Sequence, residues 1–339
     1  MNKSKTRLKA MLKPFLIGGA ALVSLVLVFV MWLVISYFPG FGDETSAYHP
    51  FRSAGKRKLY LDAYDKRAEK WPVESETLFV DTSFGQTFVR ISGPANGDPV
   101  VLMHGGNATS LSWIPNVEAL SADYRVYAID NVYDIGRSIY KKKFETKKDM
   151  IDWLDDVHDG LGLENGINIV GLSYGGWIAS RYVLARPERI ERTVLIAPAA
   201  TVLPFDREFL KYVILRMLPH RYFFKKTMFW LFEDLVSSGD ENLKFLKNEL
   251  DFVYLGIKCF RPLRLLNPTV MTDDELNSIS VPMLFLAGEN EKIYSAKEAI
   301  QRLNQVAPHI QAQLVSDAGH DLTIVQSEVV NEAILEFIH

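Results

Sequence analysis

The stretch Gly171-Leu172-Ser173-Tyr174-Gly175-Gly176 constrains this 339-residue chain more than any other part of it. It follows a short apolar run, residues 167–170, and precedes the apolar-periodic residues 177–184. This order predicts a strand, a sharp turn and a helix, the setting in which G-x-S-x-G presents a serine at the turn. Side chains two positions from the serine would clash there, and glycine removes those clashes. For the motif alone, a solvated serine in an ordinary glycine-rich turn is the alternative interpretation.

A serine hydroxyl needs a base and an orienting acid before it acts as a nucleophile at neutral pH. The candidate base is His320, on a predicted loop after the strand-like residues 311–315. The candidate acids are Glu289 and Glu291, which follow a buried-strand run, residues 281–288. The chain order serine, acid, histidine is the one expected for a serine in this turn. A surface histidine and two solvated acids are the alternatives if each is taken alone.

The run His104-Gly105-Gly106-Asn107 follows a predicted strand, residues 99–103. Glycines at this point allow backbone N–H groups to approach a substrate oxygen closely. We predict that the N–H groups of Gly106 and Tyr174 form an oxyanion hole. His104 is expected to pack and hydrogen-bond within its own loop rather than act as a base.

Several segments together resemble the α/β-hydrolase superfamily, from about Glu76 to the C terminus. They are residues 100–106, 126–130, 134–138, 171–177, 284–289 and 318–320. The resemblance implies a catalytic triad of Ser173, Glu291 and His320, with Glu291 in the place of the aspartate in a G-x-x-D turn. Glu289 remains the rival acid. Asp134-Ile135 stands where many members carry Gly-His, a departure that touches no candidate catalytic residue.

Alternating strands and helices predict an α/β fold: a mostly parallel twisted sheet with helices on both faces, the α/β-hydrolase fold. We expect an edge hairpin of residues 76–82 and 86–92, followed by strands at residues 99–103, 124–129, 167–170, 193–196, 282–287 and 311–315. The helices expected outside the long insertion are residues 51–70, 150–161 and 295–306.

Residues 199–279 form a connection far longer than such folds need. Helical spacing recurs in residues 207–218 and 226–235, which predicts a helical cap over Ser173. Its aromatic side chains would mostly pack the cap, with a minority lining an apolar pocket; they are Phe205, Phe209, Tyr212, Tyr222, Phe223, Phe224, Phe229, Trp230, Phe232, Phe245, Phe252 and Tyr254. The expected core is therefore divided into residues 76–198 and 280–339.

The N-terminal segment has a different character. Residues 15–38 carry no charge and, at roughly 36 Å, are long enough to span a bilayer as a transmembrane signal anchor. The basic residues of the tail 1–14 predict a cytoplasmic N terminus, a single-pass cell-membrane location and an extracytoplasmic catalytic domain. A cleaved signal peptide is the alternative, although no A-x-A site follows. Residues 39–75 are expected to form a linker and an amphipathic helix, whose basic run 55–58 is a solvated face or a contact with anionic lipid.

Composition excludes several classes of protein. A net charge of -3 leaves no electrostatic footprint for nucleic acid, and one cysteine, Cys259, excludes an intrachain disulfide and a multi-cysteine metal site. No metal or organic cofactor is implied. The expected function is that of a membrane-anchored serine hydrolase that cleaves an ester or related acyl bond of a small apolar or lipid-like substrate. A carbon–carbon bond hydrolase of the meta-cleavage type and a non-catalytic receptor or scaffold are the alternatives.

Overall fold

The computed structural model describes residue 24 and residues 49–339, apart from residues 217, 219 and 262–264. The elements named here belong to one of the two units into which the chain divides, residues 48–339. The strands are β1 (Ser75–Thr82), β2 (Gly85–Ser92), β3 (Pro99–Met103), β4 (Arg125–Ile129), β5 (Ile139–Tyr140), β6 (Ile167–Leu172), β7 (Ile190–Ile196), β8 (Met283–Gly288) and β9 (Gln311–Val315). The helices are α1 (Ala54–Ala68), α2 (Ile114–Leu120), α3 (Lys147–Gly160), α4 (Tyr174–Ala185), α5 (Arg207–Arg216), α6 (Arg221–Leu231), α7 (Glu233–Ser237), α8 (Asp240–Cys259), α9 (Asp273–Asn277), α10 (Ala296–Val306), α11 (Leu322–Val325) and α12 (Ser327–Ile338).

The strands of the described residues form one sheet in the order β1-β2-β4-β3-β6-β7-β8-β9, with β5 paired to β2. From β4 through β9 the pairs along this order are parallel, whereas β2 runs antiparallel to β1, β4 and β5. Parallel strands end at the same edge of a sheet, and ligand sites in such sheets form at that edge. The loops after β3, β6, β8 and β9 therefore converge there.

Alternate residues of the central strands enter two apolar layers, one on each face of the sheet. In β3, Val101 and Met103 join the layer that contains α3, α4 and α10, while Val100 and Leu102 join the layer that contains α1, α2 and α12. Successive side chains of a strand point to opposite faces, so a continuous apolar run is typical of a strand covered on both sides. The predicted mostly parallel sheet with helices on both faces is confirmed.

The elements lie close to their predicted positions, and the differences have local causes. Helix α3 begins at Lys147 rather than at residue 150, because Thr146 and Asp149 form a capping box that starts the helix earlier. The two-residue strand β5 was not predicted, since so short a strand has no periodicity to detect.

The predicted single-pass location in the cell membrane, with an extracytoplasmic catalytic domain, is wrong. The tail 1–14 and the segment 15–38 lie outside the described residues, residue 24 excepted. Within the part of the chain that the structure describes, no helix is both long and apolar enough to cross a membrane. Helix α8 has the required 20 residues, but seven of them are charged, which a bilayer core does not accept.

The long insertion, residues 199–279, lies between β7 and β8 and contains helices α5 to α9. The predicted helix 226–235 is in fact parts of two helices, because the backbone leaves the helical region at Phe232 (φ -108°, ψ 45°). Aromatic side chains pack on one another within the insertion: the rings of Tyr212 and Trp230 stack at 4.1 Å, and those of Phe224 and Tyr254 lie 5.5 Å apart. The role of this segment as a cap stays a prediction.

Helix α1 packs against both the core and the insertion. Its buried side chains Tyr60 and Tyr64 meet Phe252 of α8, with ring centroids 5.3 Å and 6.3 Å away. The Tyr64 hydroxyl also donates to the buried carboxylate of Asp130 at 3.0 Å. The predicted helix 51–70 is therefore a packed part of the fold, although it is one turn shorter than expected.

The buried histidine His158 should make the fold sensitive to acid. Its Nδ1 lies 3.0 Å from the Tyr182 hydroxyl, which donates to Asp155 at 2.8 Å, and burial lowers the pKa of His158 from 6.5 to about 3. The unfolded chain therefore binds one more proton than the folded chain between these values, so stability falls as pH falls below 6.5. Between pH 7 and 5 the contribution of His158 to the free energy of unfolding should fall by about 2 kcal/mol. Burial raises the pKa of Asp134 to about 7, which acts in the opposite direction, so the contribution of His158 is found by comparison with a variant that lacks the imidazole.

Urea unfolding at pH 7 and pH 5, with wild type and His158→Gln, measures this loss. Glutamine does not titrate, so the change in the free energy of unfolding from pH 7 to pH 5 should be about 2 kcal/mol more favourable in the variant than in wild type, even if the variant is less stable at both pH values. Equal changes in the two proteins would mean that His158 does not make this contribution.

Candidate active site

Ser173 occupies the turn between β6 and α4 in a strained backbone conformation, with φ 51° and ψ -112°. A Cβ on Gly171 would lie 2.5 Å from the carbonyl oxygen of Gly175, and a Cβ on Gly175 would lie 2.2 Å from that of Met103. Both distances are too short for any side chain, so the two glycines are sterically required. A non-glycine residue held at positive φ between them is the kind of strain that occurs at functional sites.

His320 reaches Ser173 from the loop after β9. Its Nε2 lies 3.0 Å from the Ser173 Oγ, although the two residues are 147 positions apart in the chain. The imidazole is 9% exposed and its ring lies against that of Phe232, at 6.4 Å between centroids. The geometry suits a base that accepts the serine proton.

Glu291 holds the other side of the imidazole. Its Oε2 lies 2.8 Å from Nδ1 of His320, and its Oε1 accepts the backbone N–H groups of Lys292 at 2.7 Å and Ile293 at 2.9 Å. The Glu291 side chain is fully buried. An ionised Glu291 requires a proton on Nδ1, which leaves Nε2 free to accept from Ser173.

Two adjacent parallel strands bring Glu291 and His320 together. Their loops follow β8 and β9, and the N–H of Asn290 donates to the carbonyl of Ala318 at 2.9 Å. Glu289, the rival acid, is exposed and forms an ion pair with Lys297 at 3.3 Å. Of the two candidate acids, the structure therefore brings only Glu291 to the histidine.

The predicted oxyanion residues lie side by side, because β3 and β6 are neighbours in the sheet. A Cβ on Gly106 would lie 3.6 Å from the Cβ of Tyr174, and one on Gly105 would lie 3.4 Å from that of Ser173. Gly106 is exposed. Tyr174 is the first residue of α4, whose first N–H groups have no acceptor within the helix. Both backbones thus border the serine.

His104 is fully buried within its own loop. Its Nε2 accepts the backbone N–H of Asn131 at 3.0 Å, so the proton resides on Nδ1, which lies 2.7 Å from the carbonyl oxygen of Gly105. Burial lowers the pKa of His104. Both ring nitrogens are therefore used in holding loops together.

Sequence reasoning missed the contact that Asp134 makes with the oxyanion loop, defined here as residues 104–107. The Asp134 Oδ2 accepts the backbone N–H of Asn107 at 2.7 Å, and its Oδ1 accepts that of Ile135 at 2.7 Å. Burial raises the pKa of Asp134 to about 7, although both hydrogen bonds lower it. The only sequence signal was the departure from the Gly-His pattern at this position.

A second missed feature is the contact between the insertion and the loops that carry Glu291 and His320. The buried carboxylate of Asp321 accepts the N–H of Leu235 in α7 at 2.8 Å, and Asp234 of α7 accepts from the Asn290 side chain at 2.9 Å. These contacts place α7 directly beside the histidine. The position of Asp321, immediately after His320, was the available signal.

The end of the insertion is fastened to helix α4. The Tyr174 hydroxyl donates to the carbonyl of Leu266 at 3.1 Å, and the indole N–H of Trp177 donates to that of Thr269 at 3.3 Å. A Cβ on Gly106 would lie 3.8 Å from the Leu265 side chain. Leu265 therefore borders the proposed oxyanion position. Across residues 49–339, outside the stated gaps, no group of three or more His, Cys, Asp or Glu side chains suits a metal ion.

Comparison with known proteins identifies the family of this chain. Residues 100–333 match the sequence model of the Alpha/beta hydrolase family, which is more than half of the chain. This chain belongs to the alpha/beta hydrolase family. The predicted superfamily membership is therefore confirmed, and with it the assignment of the chain as an enzyme.

Two relatives and one solved structure from Bacillus subtilis show how far this hydrolase resembles individual proteins. Carboxylesterase YbfK is 36% identical over 82% of the hydrolase and 93% of the relative, and the carboxylesterase nap is 34% identical over 83% and 92%. The crystal structure of naproxen esterase (carboxylesterase NP) superposes with a TM-score of 0.77 at 32% identity, covering 85% of this hydrolase and 100% of the esterase. The similarity thus spans nearly the whole length of these proteins.

The pH dependence of the hydrolase should reflect the environment of His320. Burial lowers the pKa of His320, but the charge of Glu291 and its hydrogen bond raise that pKa by a larger amount. The pKa of His320 therefore lies above its ordinary value of 6.5. A base acts only when neutral, so a raised pKa moves the acid limb of kcat/KM upward. We expect the midpoint of that limb above pH 6.5 in the wild type and at lower pH in Glu291→Gln.

Rates of p-nitrophenyl ester hydrolysis between pH 5 and 9 give both midpoints. Glu289→Gln is the matched control, because that carboxylate pairs with Lys297 and should leave the midpoint unchanged. A wild-type midpoint below 6.5, or equal midpoints for wild type and Glu291→Gln, would contradict the electrostatic role of Glu291.

Proposed function

We propose that this hydrolase is a carboxylesterase that cleaves esters through an acyl-enzyme formed on Ser173. The observation that carries the proposal is the hydrogen-bonded series Ser173, His320 and Glu291, with distances of 3.0 Å and 2.8 Å, beside the backbone of Gly106 and Tyr174. Similarity to carboxylesterases over more than nine-tenths of their length supports an ester as the substrate.

In the first half of the proposed reaction, Ser173 Oγ attacks the ester carbonyl carbon while its proton moves to His320 Nε2. Glu291 keeps Nδ1 protonated and stabilises the imidazolium that forms. The carbonyl oxygen becomes an oxyanion and accepts hydrogen bonds from the N–H groups of Gly106 and Tyr174. When the tetrahedral intermediate collapses, the C–O bond to the alcohol breaks, and His320 returns the proton to the leaving alkoxide.

In the second half, water attacks the acyl-enzyme. His320 Nε2 takes a proton from the water, and the same two N–H groups hold the second oxyanion. Collapse breaks the bond between the acyl carbon and Ser173 Oγ, and the proton on His320 restores the serine hydroxyl. The products are a carboxylic acid and an alcohol, and every proton removed is returned.

We further propose that residues 199–279 act as a cap that makes the acyl site apolar. Support comes from Phe232, whose ring lies against His320, and from Leu265, which borders Gly106. Both side chains adjoin the point where the acyl group of a bound ester must lie. An apolar acyl site gains affinity with each methylene that it buries.

A series of p-nitrophenyl esters tests the proposed substrate preference. Each buried methylene contributes up to about 0.8 kcal/mol, or roughly fourfold in kcat/KM, so kcat/KM should rise from acetyl to at least hexanoyl. The leaving group is constant across the series, and differences therefore report acyl binding. A steady decline from acetyl upward would exclude an extended apolar acyl site.

The same preparation should be assayed with a meta-cleavage product, the substrate of the alternative carbon–carbon hydrolysis. Carbon–carbon hydrolysis would use the same arrangement of serine, acid and histidine as ester hydrolysis, so only the substrate distinguishes the two reactions. Ester turnover with no turnover of the meta-cleavage product supports the carboxylesterase proposal. The reverse result would replace it.

A further inference from the structure

The oxyanion loop has an intrinsic weakness, because it contains two consecutive glycines. Gly105 and Gly106 have no side chains that could restrain their backbone angles, and Gly106 is exposed. A donor for an oxyanion must nevertheless be held within about 0.5 Å of its working position. The loop therefore has to be held through hydrogen bonds to its backbone. Nδ1 of His104 makes one of them, to the carbonyl oxygen of Gly105 at 2.7 Å, in the peptide that carries the Gly106 N–H.

Asp134 is the buried carboxylate that holds the loop on the other side of Gly106. Its Oδ2 accepts the N–H of Asn107 at 2.7 Å, and this N–H belongs to the peptide group that joins Gly106 to Asn107. Holding that peptide restrains Gly106 from its C-terminal side, while the His104 bond restrains the peptide on its N-terminal side. Asn107 itself is in the left-handed region, with φ 58°, so the loop turns sharply at the residue that Asp134 holds.

The neighbouring carboxylate, that of Asp130, binds a different set of donors. Asp130 accepts from the N–H groups of Ser110 at 2.7 Å and Arg137 at 2.8 Å and from the Tyr64 hydroxyl at 3.0 Å. None of these donors lies in the oxyanion loop. The two buried carboxylates are four residues apart, yet only one of them binds residues 104–107 among the described contacts.

The surroundings of Asp134 make its burial costly. Asp134 is 1% exposed. The charges of Asp130 in its own loop and of Arg216 in α5 act on the pKa of Asp134. The charge of Asp134 in turn raises the pKa values of Tyr60 in α1 and Tyr174 in α4. Burial raises the pKa of Asp134 to about 7. Buried titratable groups with such shifts are enriched at functional sites.

From these contacts we propose that Asp134 is a positioning residue that holds the oxyanion loop so that the Gly106 N–H points at the reacting carbonyl oxygen. This inference rests on the proposed esterase function. Asp134 does not touch the substrate; it acts through the Gly106–Asn107 peptide. Its loss should therefore weaken stabilisation of the oxyanion while leaving ester binding nearly unchanged.

The variant Asp134→Asn tests the proposal. Asparagine has the same shape, but its amide nitrogen donates, so one of the N–H groups of Asn107 and Ile135 loses its acceptor. Removing one oxyanion donor costs about 10²–10³-fold in kcat, and a misdirected donor should cost at least about tenfold. We expect that loss in kcat per active site, counted by fluorophosphonate labelling, with KM within about threefold of wild type.

A trifluoromethyl ketone provides the readout that a merely structural role would not change. It adds to the serine and forms an oxyanion, so its Ki should rise by about the same factor as kcat falls. Asp130→Asn is the matched control: its Tm should decrease, because it loses buried hydrogen bonds, while its kcat per labelled site and its Ki stay near wild type. An equal rise in Ki for both variants would mean general loosening of the loop and would overturn the proposal.

The outcomes separate this proposal from the function on which it rests. No labelling of wild type at Ser173 and no ester turnover would defeat the esterase function itself. Asp134→Ser is measured in the same way, because its shorter side chain withdraws the acceptor from Asn107, whereas an asparagine amide can turn its oxygen toward that N–H. Normal labelling with unchanged kcat and Ki in both Asp134→Asn and Asp134→Ser would defeat only the positioning role.

Discussion

Replacing Ser173 with alanine should reduce ester hydrolysis by at least about 10³-fold, leaving only the contributions of the oxyanion hole and of substrate binding. Ser173 Oγ is the atom that lies 3.0 Å from His320 Nε2, and its loss leaves no nucleophile between the histidine and the oxyanion donors. Steady-state kinetics with a p-nitrophenyl ester measure the loss. A circular dichroism spectrum and a Tm near those of wild type would show that the fold is retained.

Covalent labelling with a fluorophosphonate locates the nucleophile independently. Mass spectrometry should find the adduct on Ser173 in wild type and on no residue of Ser173→Ala. Ser180→Ala is the matched control, since Ser180 is buried in α4, the helix that follows Ser173, and its hydroxyl donates to the carbonyl of Trp177 at 2.7 Å. That control should label and turn over as wild type does, whereas equal labelling of Ser173→Ala would refute the assignment.

Replacing Glu291 with glutamine should cost about 10⁴-fold in kcat, the loss known for an amide in place of a triad carboxylate. The glutamine amide can donate to Nδ1 of His320, which places the imidazole proton on Nε2, where it faces the serine. Glu289→Gln should stay within about twofold of wild type, because Glu289 is exposed and pairs with Lys297. If kcat falls in Glu289→Gln and not in Glu291→Gln, the acid has been assigned to the wrong residue.

The parts of this protein that sequence predicted well depend on local sterics and on short-range periodicity. The turn at Ser173 could be located because Gly171 and Gly175 are the residues that such a turn requires. Central strands such as β3 could be located because they are apolar on both faces. These signals are contained within windows of five to ten residues, so they need no knowledge of the rest of the chain.

Sequence favoured Glu291 over Glu289 only through the resemblance to a G-x-x-D turn, since the two acids are separated by one residue on one loop. The decision depends on the turn after β8, where the N–H of Glu291 donates to the carbonyl of Gly288 and the N–H of Asn290 donates to that of Ala318. The second bond joins two loops that are 28 residues apart in the chain. Only the pairing of β8 with β9 brings those loops together.

The contact between Asp134 and Asn107 could not be predicted from sequence either, because it also joins distant segments. Asn107 lies 27 residues away from Asp134, and the departure from the Gly-His pattern carried no sign of what the carboxylate would bind. The break at Phe232, which places α7 beside His320, likewise follows from packing rather than from helical spacing. The sequence by itself determined the family and the fold and located the candidate nucleophile, because glycine sterics and apolar alternation act locally. The tertiary structure alone showed which acid contacts the histidine and which carboxylate contacts the oxyanion loop, because those contacts join segments that only the sheet order makes neighbours.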